Sequence, residues 1–225
     1  MSDAMMIRIP DILTDMQVGQ LRNDLQRLSF VDGGLTAGVY ARMVKRNEQV
    51  EQLPQIRPLQ DALGNLILRH PLFEMAARPV NMKPILFSRY RPGMEYGTHV
   101  DNAVMSGSPP VRSDLSFTLF LSDPESYDGG ELVVEGDPEM RVKLPAGHMF
   151  LYPSSSLHHV EPVRRGERLA AVSWVQSAVR DAAKRQILFD LETLRRRMFD
   201  AQGKTADFDL LSRSFANIYR MWADI

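Results

Sequence analysis

The sequence predicts a mainly β protein with flanking helices, built on a double-stranded β-helix, or jelly roll. The first observation is that residues 84–177 are dominated by short β-rich runs separated by Gly, Pro, Asp and Ser. The second is that no helical pattern separates these runs, as a parallel βαβ sheet would require. The third is that helical periodicity occurs on both sides of this region. A length of 225 residues, of which 44% are hydrophobic, suffices for one domain with a packed core.

The N-terminal region, residues 1–80, is expected to support the core as part of the same domain. Apolar residues recur at roughly helical spacing from Leu13 to Leu28, with Thr14 or Asp15 as the N-cap. The glycine-containing stretch that follows predicts a turn leading into a short strand. A second helix is predicted from about residue 54 to 70, with Pro71 just beyond its end.

The central region, residues 81–178, contains the predicted core. Eight candidate strands are bounded by turn residues: 85–91, 95–101, 114–122, 130–135, 140–144, 148–153, 157–163 and 168–176. The long segment 102–113 is either a lid over a site or an ordinary loop. Short strands at this spacing favour an antiparallel arrangement in two sheets.

The C-terminal region, residues 179–225, returns to helical spacing. One helix has an apolar face from Val179 to Met198 and ends at Gly203, and a last helix runs from about Phe208 to Trp222. These two segments predict a helical hairpin as a C-terminal extension. Its apolar residues are suitable for pairing two subunits as a homodimer, although the sequence does not fix the oligomeric state.

Composition excludes several classes of partner and chemistry. Lys and Arg number 27 and Asp and Glu number 28, so a net charge of -1 provides no general attraction to nucleic acid, and none is expected as a partner. The absence of cysteine excludes disulfides, thiolate catalysis and Cys-based metal sites. No segment approaches the ~20 apolar residues of a membrane span, and no signal pattern is apparent, so we expect a cytoplasmic protein without a membrane partner.

The triplet from His99 to Asp101 is the first indication of chemistry. On an extended strand, residues two apart project from the same face, so both side chains can reach one ion. By itself, such a triplet is also typical of a polar surface strand. The pair His158–His159, later in the chain, adds a second imidazole, and two histidines with one carboxylate form the ligand set of non-haem Fe(II) oxygenases.

Arg168 supplies the cation that such a site needs beside the metal. Three protein ligands leave room on Fe(II) for a chelating 2-oxo acid and dioxygen. A planar guanidinium pairs bidentately with the far carboxylate of that acid and keeps its charge when buried. The alternative is that Arg168 is a solvent-exposed charge at the edge of a strand.

These motifs resemble a known family. The runs THVD (98–101) and H-x-V-x-P-V-x-x-G-x-R (158–168), followed by Trp174, are similar to the prolyl 4-hydroxylase-like branch of the Fe(II)/2-oxoglutarate-dependent dioxygenases. The segments DGGLTAG, SRYRPGMEYGTHVDNAVM and IYRMWADI extend the resemblance, to the bacterial PKHD-type hydroxylases, over essentially the whole chain. The resemblance implies that His99, Asp101 and His158 bind iron and that Arg168 anchors 2-oxoglutarate.

His158 is favoured over His159 because the family's ligand stands four residues before the proline, here Pro162. Neighbouring residues on a strand also face opposite ways, so His159 would lie behind the ligands or at the surface. Three more residues could bind the co-substrate through a hydroxyl or simply fill the core: Tyr90, Tyr96 and Thr118.

The activity that the resemblance implies is hydroxylation coupled to the conversion of 2-oxoglutarate and dioxygen into succinate and CO2. Fe(II) is the implied metal, and L-ascorbate is a candidate reductant. The primary substrate stays open among peptidyl side chains, amino acids and small metabolites. Two alternatives are a non-catalytic metal-binding jelly roll, which would not need Arg168, and an oxidative nucleic-acid demethylase, against which the neutral charge counts.

Overall fold

The structure, a computed structural model, describes residues 6–225, which form five α-helices and 17 β-strands. Two antiparallel sheets make up the jelly-roll core, and helices flank it. The predicted fold class is therefore confirmed. None of the helices in the described residues is both long and apolar enough to cross a bilayer.

The first helix, α1 (Asp15–Gln26), begins at Thr14, as the sequence predicted. The Thr14 hydroxyl accepts a 3.3 Å hydrogen bond from the Gln17 amide, and the Gln17 side chain accepts a 2.9 Å hydrogen bond from the Thr14 amide. This reciprocal capping box satisfies two amide donors that the helix itself leaves unpaired.

The second helical segment differs from its prediction. A short 3-10 turn (Pro54–Ile56) leads into α2 (Arg57–Leu68), and Pro71 begins a further helix, α3 (Pro71–Ala77), which the sequence analysis missed. Proline suits the first turn of a helix because an N–H at that position has no intrahelical partner. Pro71 therefore lies just beyond the end of α2 and is also the first residue of α3.

Five short strands precede the core strands, where the sequence predicted only one. They are β1 (Ile7–Ile9), β2 (Phe30–Asp32), β3 (Lys45–Arg46), β4 (Glu48–Val50) and β5 (Pro79–Met82). Two 3-10 turns, 33–36 and 41–44, connect β2 to β3. Strands of two to four residues are too short to produce a recognisable alternation of apolar and polar residues.

All eight predicted core strands are present. They are β6 (Leu86–Tyr90), β7 (Glu95–His99), β10 (Leu115–Phe120), β12 (Leu132–Val134), β13 (Met140–Val142), β14 (Met149–Pro153), β15 (His158–Val160) and β17 (Arg168–Ser177). Four short strands lie between them: β8 (Val104–Met105), β9 (Val111–Arg112), β11 (Asp128–Gly129) and β16 (Val163–Arg165). Segment 102–113 therefore contains a small β8–β9 hairpin, and its action as a lid stays a prediction.

The strands pair into two main sheets. The major sheet has the order β1-β14-β10-β17-β6-β4-β2, with β5 also paired to β17. The minor sheet has the order β13-β12-β15-β7-β3. The early strands β2, β3 and β4 thus extend both sheets rather than forming a separate layer.

Side chains of the major sheet alternate between an apolar cluster and a cavity. On β10, Leu115 and Leu119 belong to the cluster that also includes apolar residues of α1, α2 and α3. Ser116 and Thr118, between them, line a cavity shared with the minor sheet. The polar residues of the buried strand β10 therefore lie on the inner surface of the jelly roll.

The C-terminal residues form the predicted hairpin of α4 (Ala182–Gln202) and α5 (Ala206–Trp222). Asp181 and Thr205 cap the two helices, and Gly203 ends α4 with a positive φ of 70°. A small apolar cluster contains one residue before the hairpin and one from each helix: Val179, Leu188 and Phe215.

Candidate active site

One cavity of about 330 Å³ brings together every residue that the sequence analysis selected. Side chains of β6, β10 and β17 from the major sheet line it together with side chains of β7 and β15 from the minor sheet. The predicted residues among its lining are His99, Asp101, His158, Arg168, Tyr90, Tyr96 and Thr118.

The cluster of His99, Asp101 and His158 lies on adjacent strands of the minor sheet and at their ends. His158 on β15 pairs directly with His99, the last residue of β7. One potential ligand atom from each of the three residues lies within 4.8 Å of those of the other two. His158 Nε2 is 3.9 Å from Asp101 Oδ2, and the two imidazole centroids are 4.2 Å apart. This is the spacing that one shared metal ion requires.

Asp101 reaches the cluster in a different way from the one predicted. Strand β7 ends at His99, so Asp101 lies in the segment after the strand rather than on its face. Its side chain is nevertheless only 8% exposed, whereas Val100 is exposed. The two-residue spacing still directs His99 and Asp101 to one point, although the chain has already left the sheet.

Both imidazoles have one nitrogen occupied by a backbone carbonyl. His99 Nδ1 is 2.9 Å from the Gly97 oxygen, and His158 Nδ1 is 3.0 Å from the Ser156 oxygen. Because a carbonyl only accepts, these bonds assign the proton to Nδ1 and leave the Nε2 lone pair free for a metal. Burial and the neighbouring His158 lower the pKa of His99 to about 4, which keeps its imidazole in the neutral, metal-binding form.

The carboxylate of Asp101 is held by a serine pair. Ser116 on β10 donates a 2.6 Å hydrogen bond to Asp101 Oδ2, and its hydroxyl is 2.7 Å from that of Ser154. Both serines are buried. Ser116, on the major sheet, therefore orients the side chain of Asp101, a residue that lies just after β7 of the minor sheet.

Aromatic rings support the two histidines. Tyr96 stacks on His99 with centroids 3.7 Å apart, and Tyr152 meets His158 edge-on at 5.1 Å. Tyr96 was predicted as a site residue, whereas Tyr152 was missed. The position of Tyr152 on β14, within the run MFLYP, offered a signal because an aromatic with a polar tip rarely fills a buried strand without a partner.

Arg168 is buried in the same cavity without an anionic partner. Its side chain is 1% exposed, and its guanidinium carbon is 5.0 Å from the Tyr90 ring centroid and 5.4 Å from that of Phe120. Within residues 6–225, Arg168 forms no salt bridge, and its Nε has no hydrogen-bond partner. The alternative reading of Arg168 as a solvent-exposed charge is therefore wrong.

The surroundings of Arg168 are shaped around its side chain. A Cβ added at Gly130, whose φ is +66°, would lie 3.0 Å from the Cδ of Arg168. The buried hydroxyl of Tyr127 also lacks a partner in the described part of the chain. A buried charge of this kind normally pairs with an anion, and a carboxylate would satisfy it.

The other two predicted hydroxyls lie nearby. Tyr90 on β6 is directly opposite Arg168 on β17, and Thr118 lies on β10 at 3% exposure. Burial raises the pKa of Tyr90, Tyr96 and Tyr152. These phenols therefore stay protonated at neutral pH and can donate hydrogen bonds to an anion.

The donor set fits the two groups that the sequence analysis predicted. Two neutral imidazoles and one carboxylate are the ligands that non-haem Fe(II) uses in oxygenases. An unpaired buried guanidinium beside protonated phenols is suited to the carboxylate of a 2-oxo acid. Neither feature depends on the other, and both belong to one cavity.

Comparisons with known proteins agree with this geometry. Residues 85–176 match the family model of the 2OG-Fe(II) oxygenase superfamily. A PKHD-type hydroxylase from Gloeothece citriformis is 51% identical over 221 residues, which cover 98% of this chain and 100% of that relative. Another from Synechococcus elongatus is 50% identical over 223 residues with the same two coverages. The chain belongs to the PKHD-type hydroxylases.

Solved structures show the same fold at low sequence identity. A Pseudomonas putida prolyl-4-hydroxylase is 21% identical with a TM-score of 0.53, covering 78% of this hydroxylase and 94% of that chain. HygX from Streptomyces hygroscopicus, solved with nickel and 2-oxoglutarate bound, is 16% identical with a TM-score of 0.56, covering 77% and 84%.

The PKHD-type hydroxylase is therefore an Fe(II)- and 2-oxoglutarate-dependent dioxygenase. The family resemblance, the reaction class, the metal and the co-substrate that the sequence predicted are confirmed. The assignment of individual residues to these roles remains a proposal, which the geometry supports.

Proposed function

We propose that His99, Asp101 and His158 hold Fe(II) in this hydroxylase and that Arg168 anchors the far carboxylate of 2-oxoglutarate. The observation that carries the proposal is the unpaired, buried guanidinium of Arg168 in the cavity that also contains the three-residue cluster. A binding site for metal alone would have no use for this charge.

Burying the guanidinium of Arg168 without a counter-charge is energetically costly. An isolated buried charge costs several kcal/mol, and the fold retains such a group only where a counter-charge or a function compensates for it. The carboxylate of 2-oxoglutarate would supply the counter-charge through two parallel N–H···O bonds. The same energetic cost counts against a non-catalytic metal-binding jelly roll, the main alternative.

Tyr90, Tyr96 and Thr118 would complete the co-substrate site. Tyr90 lies directly opposite Arg168, whereas Thr118 lies opposite Val172 on the other neighbouring strand of the major sheet, and each offers a hydroxyl to the same cavity. Tyr96 stacks on His99, so its proposed role includes orienting that imidazole. Because their pKa values are raised by burial, both phenols would donate to an anion.

When bound, Fe(II) with dioxygen and 2-oxoglutarate supplies the oxidising chemistry that places one oxygen atom in a substrate C–H bond and the other in succinate, with loss of CO2. The residues of this chain would bind and orient these groups. His99 and His158 present Nε2 because their Nδ1 protons are held by carbonyls, and Ser116 fixes one carboxylate oxygen of Asp101. Burial of His158 and Arg168 limits the access of bulk water.

The wider assignments are also proposals. The balanced charge of -1 supports a protein that acts without a nucleic-acid partner, and hence not as a nucleic-acid demethylase. A cytoplasmic location and a role for L-ascorbate as reductant stay predictions. Exposed apolar residues on the terminal hairpin, Leu194, Phe199 and Leu210, support α4 and α5 as the candidate face for a homodimer.

Succinate release tests the proposed function. Purified hydroxylase with Fe(II), 2-oxoglutarate and dioxygen should release succinate, and a true substrate among peptides, amino acids and small metabolites should increase the rate. Arg168→Ala and Asp101→Ala serve as variants expected to be inactive. Undiminished succinate release by either variant would overturn the assignment of that residue.

A further inference from the structure

Two lysines add positive charge to the cavity. The proposed iron and co-substrate sites do not use this charge. Lys45 on β3 and Lys83, the residue after β5, both line the cavity and are half-buried. Within residues 6–225, neither ammonium has a carboxylate within 4.0 Å. Their only hydrogen-bond acceptors there are neutral: the Thr36 hydroxyl for Lys45, at 3.1 Å, and the Ser106 carbonyl for Lys83, at 2.8 Å.

Lys45 lies close to the proposed metal ligands. Its Nζ is 5.1 Å from the centroid of the Tyr96 ring, which in turn stacks on His99. Lys45 and Tyr96 are also register partners in the minor sheet. Burial lowers the pKa of Lys45 to about 8, an effect that Asp101 and Asp32 oppose, so most of the population is still protonated at neutral pH.

A chain of polar groups leads from Lys45 into the cavity. The Thr36 hydroxyl accepts from Lys45 and donates a 2.5 Å hydrogen bond to Gln49 Oε1. Gln49 Nε2 then donates a 3.0 Å hydrogen bond to the Ser88 hydroxyl. Because Ser88 accepts and has no acceptor of its own in the described residues, its O–H is available to a ligand in the cavity.

The charges of the loaded site leave the lysines unbalanced. The double charge of Fe(II) and the single charge of Arg168 are matched by Asp101 and by the 2-oxoglutarate dianion. Both imidazole ligands would be neutral. The charges of Lys45 and Lys83 therefore remain for a third molecule, since unpaired charges in a partly buried site favour a ligand of opposite sign.

Apolar residues also line this cavity. Leu86, Val172 and Trp174 line it together with Met105 from the β8–β9 hairpin. A cavity of about 330 Å³ is at the small end of the range for ligand pockets, and 2-oxoglutarate would occupy part of it. The remaining space suits a short carbon chain with a charged end, either as a whole molecule or as the end of a larger one.

We propose that the primary substrate of this hydroxylase carries an anionic, carboxylate-type group, which Lys45 binds with the support of Lys83 and the Ser88 hydroxyl, and that its carbon chain lies against Trp174. This inference rests on the proposed function, because it assumes that 2-oxoglutarate neutralises Arg168. It assigns Lys45 as a specificity-determining residue.

Tryptophan fluorescence tests the inference with defined probes. Trp174 and Trp222 are the two tryptophans of the chain, so Trp222→Phe leaves Trp174 as the only reporter. This protein, saturated with Mn(II) and 2-oxoglutarate, is titrated with hexanoate and with the uncharged hexanamide. We expect hexanoate to bind at least 10-fold more tightly. Equal binding of the two, or no saturable binding of hexanoate, would overturn the inference.

Lysine variants show which side chain produces the preference for hexanoate over hexanamide. Lys45→Met should abolish the preference for hexanoate, Lys83→Met should reduce it, and Lys45→Arg should retain part of it. Lys204→Met is the matched control, since Lys204 pairs with Asp209 at the start of α5, and it should bind hexanoate as the parent does. An undiminished preference in Lys45→Met would contradict the assignment.

The titration distinguishes a failure of the substrate inference from a failure of the proposed function. If Mn(II) and 2-oxoglutarate bind normally but hexanoate has no advantage over hexanamide, only the substrate inference fails. If 2-oxoglutarate itself does not bind, or binds unchanged to Arg168→Met, the proposed function fails and the substrate inference falls with it. A peptide carrying an adipoyl group, whose free carboxylate ends a short carbon chain, compared with the corresponding terminal amide, then distinguishes a small substrate from the charged end of a larger one.

Discussion

The hydroxyl of Ser116 donates a 2.6 Å hydrogen bond to Oδ2 of Asp101 and joins the centre of the major sheet to the segment that follows β7. Asp101 lies beyond the end of its strand, so no ladder hydrogen bonds fix its position. Ser116 is itself held beside Ser154, the residue that follows the neighbouring strand β14. The serine pair therefore supplies the rigidity that the backbone of Asp101 lacks.

Ser116→Ala should weaken iron binding because it removes this support without removing a ligand. Loss of a partner behind a metal ligand typically costs 10- to 100-fold in affinity, and we expect about 10-fold here, since Asp101 stays enclosed. Anaerobic Fe(II) titration measures the change. Ser214→Ala, on the exposed surface of α5, is the control, and equal affinities in the two variants would contradict the proposed support.

Arg168→Met should separate co-substrate binding from metal binding. Removing one partner of a buried charge pair costs about 2–5 kcal/mol, so the KM for 2-oxoglutarate should rise about 30-fold or more. Iron affinity without 2-oxoglutarate should change little. Steady-state succinate release and anaerobic titration measure the two quantities, with the exposed Arg164→Met as control.

The same substitution has a second readout. In the absence of ligands, Arg168→Met replaces an unpaired buried charge by an apolar side chain of similar length, so thermal stability should be equal or higher. A purely structural role for Arg168 would instead lower the melting temperature. Calorimetry of the ligand-free proteins distinguishes these outcomes.

Metal binding should stabilise the fold through linkage. Fe(II) at 100 times its Kd contributes about 2.7 kcal/mol, which corresponds to roughly 5–11 °C in Tm for a domain of this size. Chelation should return Tm to the metal-free value. Asp101→Ala should lose most of the shift at the same Fe(II) concentration, and a full shift in that variant would show that the stabilising ion binds elsewhere.

The attachment of the terminal hairpin depends on Phe215. This side chain is 7% exposed, and its ring centroid lies 5.2 Å from the guanidinium carbon of Arg78 and 4.8 Å from that of Arg195. Phe215→Ala should therefore cost about 3 kcal/mol, or roughly 6–12 °C in Tm. Phe199→Ala, half exposed on α4, should cost much less in the same thermal scan.

Much of the core could be predicted because its signals are local. Short β-rich runs bounded by turn residues gave all eight core strands, and the spacing within THVD and the position of Arg168 led to residues that share one cavity. The choice of His158 agrees with its burial at 4%, whereas His159 is only partly buried. Thr14 and Gly203 marked helix ends through capping chemistry, which also depends on neighbouring residues alone.

What could not be predicted depends on contacts between distant parts of the chain. Lys45 faces the cavity only because β3, two residues long, pairs with β7 some fifty positions later, according to the register of the minor sheet. Ser116 and Tyr152 are ordinary strand residues until the sheets close around them. Pro71 was read as a stop because its role at a helix start depends on the residues that follow.

The central claim is that His158, not His159, completes an iron site that binds 2-oxoglutarate. The most direct measurement is the metal-to-ligand charge-transfer absorption that forms when 2-oxoglutarate is added anaerobically to the Fe(II)-loaded protein. It should form in the natural protein and in His159→Ala, and it should be lost in His158→Ala at the same Fe(II) concentration. A band that persists in His158→Ala, or disappears in His159→Ala alone, would contradict the account.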